Sequence, residues 1–170
     1  MSTMKIAVER FTYEFADEIL PLGQECWDEC SEIKKDTCAF HGERGLQIAP
    51  DFDRYVSLSD QGLLVAMTLR DEESNLRGYA LMIFYNSLHL KYIHCGNVDT
   101  FYVQKKYRRS MPRFMTAIEN EFQSRDVSIV GWPVTRSGLL FKILKKRGYI
   151  ADDVVMELKL KSLPKGAICV

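Results

Sequence analysis

The stretch "FYVQKKYRRSMPRFM", Phe101 to Met115, decides how this chain is read. Phe101, Tyr102 and Val103 suit a strand. Lys105 to Arg109 make a basic turn, and Met111 opens a helix whose Phe114, Met115, Ile118 and Phe122 share one face. A strand that turns at once into a helix N-terminus is a place where backbone amides can meet an anion. Glycines normally let the backbone approach such a group. None lies between Gly96 and Gly131.

Upstream, "MKIAVERF" predicts a strand over residues 5–11. Phe15, Ile19, Leu22, Cys26, Trp27 and Cys30 then mark a helix with an acidic outer face, which Pro21 should kink or break. A loop follows, with a short helix near 51–58. "GLLVAMTLR" and "RGYALMIFYNSL" predict an antiparallel hairpin, and "YIHCGNVDTFYV" a further strand with a bulge at Gly96. Downstream, "VSIVGWPV" predicts a buried strand stopped by Pro133. "SGLLFKILKKRG" predicts a helix closed by Gly148, and "DDVVMELKL" a last strand. Hairpins followed by β-α-β units give an α/β fold with a mixed sheet covered by helices on both faces.

The 170 residues suffice for one domain, read as 1–162 with a loose tail over 163–170. The longest apolar run, "YALMIFY", has only strand length, so no membrane span is expected. The first residues lack the pattern of a secretory leader, and the five cysteines form no paired framework, which points to the cytoplasm. Formal net charge is zero. Residues 1–80 hold 8 Lys/Arg against 16 Asp/Glu, and residues 81–170 hold 15 against 7. An anionic ligand belongs with the second half, whereas overall neutrality argues against nucleic acid as a partner. Cys26, Cys30, Cys38 and His41 offer a zinc ligand set. The helical stripe already gives two of them an apolar role, so no metal is expected.

Several short motifs, taken in order, resemble the GNAT family, the Gcn5-related N-acetyltransferases, and most of all the GNAT-like proteins of tailed bacteriophages. They are "APDFDRY" before the hairpin, "LHLKY" before the central strand, and Asp99, Phe101, Tyr102 and Val103 on it. Tyr107 with Arg108, Glu119 in the next helix, and "LKKRGYI" complete the set. The resemblance implies a mostly antiparallel sheet splayed between its central strands. It also implies transfer of an acetyl group from acetyl-CoA to an amine on a small molecule or a protein. A homodimer is left open. A phage-encoded chain would work in the host cytoplasm.

By the same resemblance Asp99 is the catalytic candidate, a base for the incoming amine or a group that orients a water. Its place four residues before Val103 predicts that the two share a strand face with Phe101 and Asn97. The implied cofactor contacts are Phe101, Tyr102 and Val103 by their amides, Arg108, Arg109, Ser110, Met111 and Arg113 at the phosphates, and Ser137. Met111 is bulky where the family has glycine, Pro112 has no N–H, and Leu144 stands where the family has its acid tyrosine. A second reading is therefore carried alongside: an inactive GNAT-fold protein that binds a protein partner, such as a phage accessory or virion component.

Overall fold

The computed structural model describes residues 4–34, 48–132, 134 and 138–151. The elements are β1 (Lys5–Glu9), α1 (Tyr13–Lys34), α2 (Phe52–Asp60), β2 (Leu64–Arg70), β3 (Leu76–Asn86) and β4 (His94–Val103). A 3-10 turn (Lys105–Ser110) leads into α3 (Met111–Ser124), followed by β5 (Ile129–Gly131) and α4 (Leu139–Lys146). The predicted last strand, the tail, Ser137, Cys38 and His41 lie outside the described residues.

The five strands pair in the order β1-β2-β3-β4-β5, antiparallel up to β4, with β4 and β5 parallel. This is the mixed, mostly antiparallel sheet expected. Strand β2 is buried on both faces, which explains its unbroken apolar run. One face packs Leu64, Ala66, Tyr79, Leu81 and Tyr102 against Phe11 and the α1 stripe of Phe15, Ile19 and Leu22. The other packs Leu69, Met82, Val98 and Val103 against Phe114, Ile118 and Phe122 of α3. Among the described residues no helix is long and apolar enough to cross a membrane.

Helix α1 continues through Pro21, whose side is exposed. The predicted break is absent because a solvent-facing carbonyl left without its N–H partner can turn to water. Gly148 closes α4 as expected, with φ of +94° just beyond the cap residue Arg147. Strand β5 is not buried as predicted: it spans only three residues at the edge of the described sheet, and Ile129 is exposed.

The bulge of β4 is not at Gly96. Leu81 faces Thr100 and Met82 faces Val98, so Asp99 is the extra residue. Gly96 is there for another reason. A Cβ at that position would lie 2.3 Å from a ring carbon of Phe122, which is fully buried.

Candidate functional site

Strands β4 and β5 pair only from Cys95/Ile129 to Asn97/Gly131 and then part. Beyond that point β4 runs on for six residues with β3 along one side and no described strand along the other. The N–H of Gln104 donates to the Arg77 carbonyl at 3.0 Å, so Gln104 is turned toward β3. Alternation then turns Tyr102 toward β3 as well and sends the amides of Val103 and Phe101 to the opposite edge, where no described residue pairs with them. Of the three amides predicted to face a ligand, Tyr102 is therefore corrected: its N–H serves the sheet.

The bulge also changes the face on which Asp99 stands. Val98, Phe101 and Val103 belong to the α3 side, while Asp99 reaches α2 on the other side. The expected shared face of Asp99, Phe101 and Val103 is thus overturned, because one inserted residue inverts the alternation. Asp99 Oδ2 accepts from the Tyr55 hydroxyl at 3.0 Å and from Thr100 Oγ1 at 3.3 Å. Its Oδ1 accepts no hydrogen bond among the described residues. Burial, reinforced by the Asp99 charge, raises the Tyr55 phenol far above its ordinary value, so Tyr55 remains a donor. Asp99 therefore stands half-buried at the parting of the strands with one oxygen held and one available.

On the α3 side the opening is aromatic. Phe101 stacks on Phe114 with centroids 5.7 Å apart and meets Trp132 edge-on at 5.4 Å. Trp132 Nε1 is buried without a hydrogen-bond partner among the described residues. Burial raises the Tyr149 phenol above its ordinary value, against a smaller opposing pull from the nearby indole, so Tyr149 remains a donor. Tyr149 donates to Glu119 Oε1 at 3.2 Å, and Arg147 donates to the same oxygen at 2.9 Å. Leu144 is buried and inert.

The turn after β4 holds its basic residues differently from expectation. Arg108 ion-pairs with Glu29 of α1, and its Nε donates to the Val103 carbonyl at 3.1 Å. Arg113 donates to the Met4 carbonyl at 3.2 Å, beside β1 rather than β4. Met111 does not plug an entrance, since its side chain is buried in the α3 core, and its N–H is spent on the Arg108 carbonyl. Pro112 follows with no N–H. Ser110 precedes α3 as its cap without a side-chain cap bond. Arg109 is exposed and makes no hydrogen bond or ion pair among the described residues. Two of the four amides that a helix N-terminus offers an anion are therefore missing.

Helix α1 closes over the same corner. The Tyr102 hydroxyl donates to Glu29 at 2.8 Å and Glu25 at 3.1 Å, and the Gln104 amide donates to Glu25 at 3.2 Å. With Asp28, Lys105, Lys106, Arg77 and Tyr107 these side chains line an open pocket of about 620 Å³. Tyr55 was visible in "APDFDRY", but the Glu25 and Glu29 clasp left no signal beyond an acidic helix face.

Among solved structures, the fold resembles several acetyltransferases. A ribosomal-protein-alanine N-acetyltransferase from Brucella melitensis biovar Abortus 2308 shares 16% identity at a TM-score of 0.59, over 94% of this chain and 100% of its own. A predicted acetyltransferase from Clostridium acetobutylicum, solved with acetyl-CoA, shares 16% identity at a TM-score of 0.60, over 93% and 97%. An aminoglycoside acetyltransferase from an uncultured soil metagenomic sample shares 12% identity at a TM-score of 0.62, over 94% and 99%. At such identities the likeness gives the fold, and it is the GNAT fold. No protein-family model and no curated protein matches the sequence.

Proposed function

We propose that this protein transfers an acyl group from a pantetheine thioester, with acetyl-CoA as the reference donor, to an amine. The observation that carries this reading is the edge of β4 left unpaired among the described residues, where the Phe101 and Val103 amides face the gap left by β5. An extended ligand bearing its own amides can add to such an edge as a strand does. The pantetheine arm fits these donors and the Phe101 and Trp132 rings beside them. The nucleotide diphosphate fits the α3 terminus poorly, since the Met111 N–H is used and Pro112 has none.

Bound donor supplies an acyl carbon activated by its thioester. Asp99 holds the approaching ammonium through its available oxygen and takes up the proton that the amine must lose. Tyr55 and Thr100 keep that carboxylate in place from the other side. The amine nitrogen bonds to the acyl carbon, the carbon–sulfur bond breaks with its electron pair going to sulfur, and the products are an amide and a thiol. Protonation of that thiol falls to water, since Leu144 has nothing to give. The acceptor, a small molecule or a protein amine, approaches from the α1 and α2 side, where Asp99 faces.

The test is thiol release from acetyl-CoA in the presence of a panel of primary amines, with Asp99→Asn as the control. Amine-dependent release that the variant loses supports the reading; release equal in both sinks it.

One observation favours the second reading, a GNAT-fold protein without transfer activity that binds a protein partner, as a phage accessory or virion component would. Arg108 already covers the Val103 carbonyl on the very edge a donor would use. Absence of any melting shift with coenzyme A at millimolar concentration would favour it.

A further inference from the structure

We infer that the donor site selects its thioester by the neutral pantetheine arm and discriminates against the nucleotide diphosphate, so that an acylated pantetheine without a nucleotide serves as well as acyl-CoA. This rests on the acyltransferase reading and narrows its donor class.

Three features of one corner carry it. The first is the loss of amide donors at the start of α3, where Met111 bonds to Arg108 and Pro112 has none to give. The diphosphate loses the directional contacts that a helix terminus otherwise supplies. The second is the commitment of the guanidinium groups. Arg108 is paired with Glu29 and with the Val103 carbonyl, and Arg113 is turned to the Met4 carbonyl. Exposed Arg109, Lys105 and Lys106 remain, and a solvated cation contributes little geometry. The third is charge cancellation. Glu25, Asp28 and Glu29 line the pocket beside the same turn together with Arg77, Lys105 and Lys106. Burial tends to raise the Glu29 pKa, but hydrogen bonds from Arg108 and Tyr102 outweigh it and keep this carboxyl below its ordinary value, hence ionised. A polyphosphate entering there meets no net positive charge to replace the lost amides, whereas an amide chain needs none.

The pantetheine end has the opposite balance. Among the described residues the Phe101 and Val103 amides and the buried Trp132 N–H have no partner. An unmet buried donor destabilises the site until an acceptor reaches it. A carbonyl of the arm is such an acceptor. In the reaction the nitrogen–carbon bond forms and the carbon–sulfur bond breaks, so the nucleotide takes no part in the balance.

The experiment titrates the intact protein with coenzyme A, pantetheine and adenosine 3′,5′-bisphosphate by calorimetry. Pantetheine should bind within about threefold of coenzyme A, and the bisphosphate should give no heat. Coenzyme A binding more than roughly thirtyfold tighter than pantetheine, or saturable bisphosphate binding, overturns the inference. Failure of all three ligands removes the acyltransferase reading itself, and the inference with it. Glu29→Gln, which releases Arg108, should tighten coenzyme A roughly tenfold relative to pantetheine. An unchanged ratio in a folded variant also counts against it. A carrier protein bearing the phosphopantetheine arm separates the two sources of such a donor. Tighter binding than free pantetheine identifies a protein-borne arm, and equal binding a small thioester.

Discussion

The Tyr55 hydroxyl reaches across the sheet face to Asp99 at 3.0 Å and ties α2 to the extra residue of the β4 bulge. Removing that hydroxyl leaves the carboxylate held by Thr100 alone and free to turn out of line with an amine. Tyr55→Phe should therefore lower turnover about tenfold, within the range of a positioned base, and leave donor affinity unchanged. Steady-state rates against one amine, with donor dissociation measured separately, check this. Unchanged turnover would show that Asp99 acts without Tyr55, or does not act.

Asp99→Asn retains the shape and loses the base. Turnover should fall about a hundredfold or more while donor affinity stays the same, because no donor contact in this account uses the carboxylate. Separate measurement of kcat and of donor dissociation distinguishes this from collapse of the site, which would weaken both.

Gly96 presses on Phe122 so closely that an added methyl has nowhere to go. Gly96→Ala should cost about 2 kcal/mol by overpacking, seen in urea unfolding. Phe122→Leu in that background should cost less than the two single changes together, since the variants share one space. Full additivity would mean that the ring moves aside freely.

Arg70 fastens β2 to β1 and α1. Its Nε donates to Glu9 at 2.8 Å, and its Nη2 donates to Glu9 at 3.0 Å and to Glu18 at 2.7 Å. The Arg70 hydrogen bond outweighs burial and holds the Glu9 carboxyl below its ordinary 4.5. A depressed carboxyl stabilises the fold above the unfolded pKa and loses that contribution as pH falls through the folded one. Arg70→Met should thus cost about 2 kcal/mol at pH 7 and progressively less below pH 4.5. A penalty independent of pH would point to lost packing instead.

Much of the fold was legible in the sequence because the signals were local. The α1 stripe, the hairpin strands and the Phe114 to Phe122 face each follow from spacing alone. What escaped depends on contacts between distant segments. A glycine in a strand can mark a bulge or a close approach, and only the position of Phe122 shows that Gly96 is the second kind. With the bulge at Asp99 instead, every side chain before it changes face relative to those after it, so the predicted grouping with Phe101 and Val103 could not survive. Arg108 and Arg113 read as phosphate ligands because their charges were visible, while Glu29 and the Met4 carbonyl, far off in the chain, were not. The absence of donor glycines, by contrast, was plain in the text of the chain.

The β4 edge that is unpaired among the described residues would take the pantetheine arm, and amide hydrogen exchange at single residues tests this directly. With saturating pantetheine or coenzyme A, exchange at Phe101 and Val103 should slow at least tenfold, while Thr100 and Tyr102, already bonded to β3, change little. If Phe101 and Val103 exchange at the same rate with and without ligand, no arm lies along that strand and the account of this site fails.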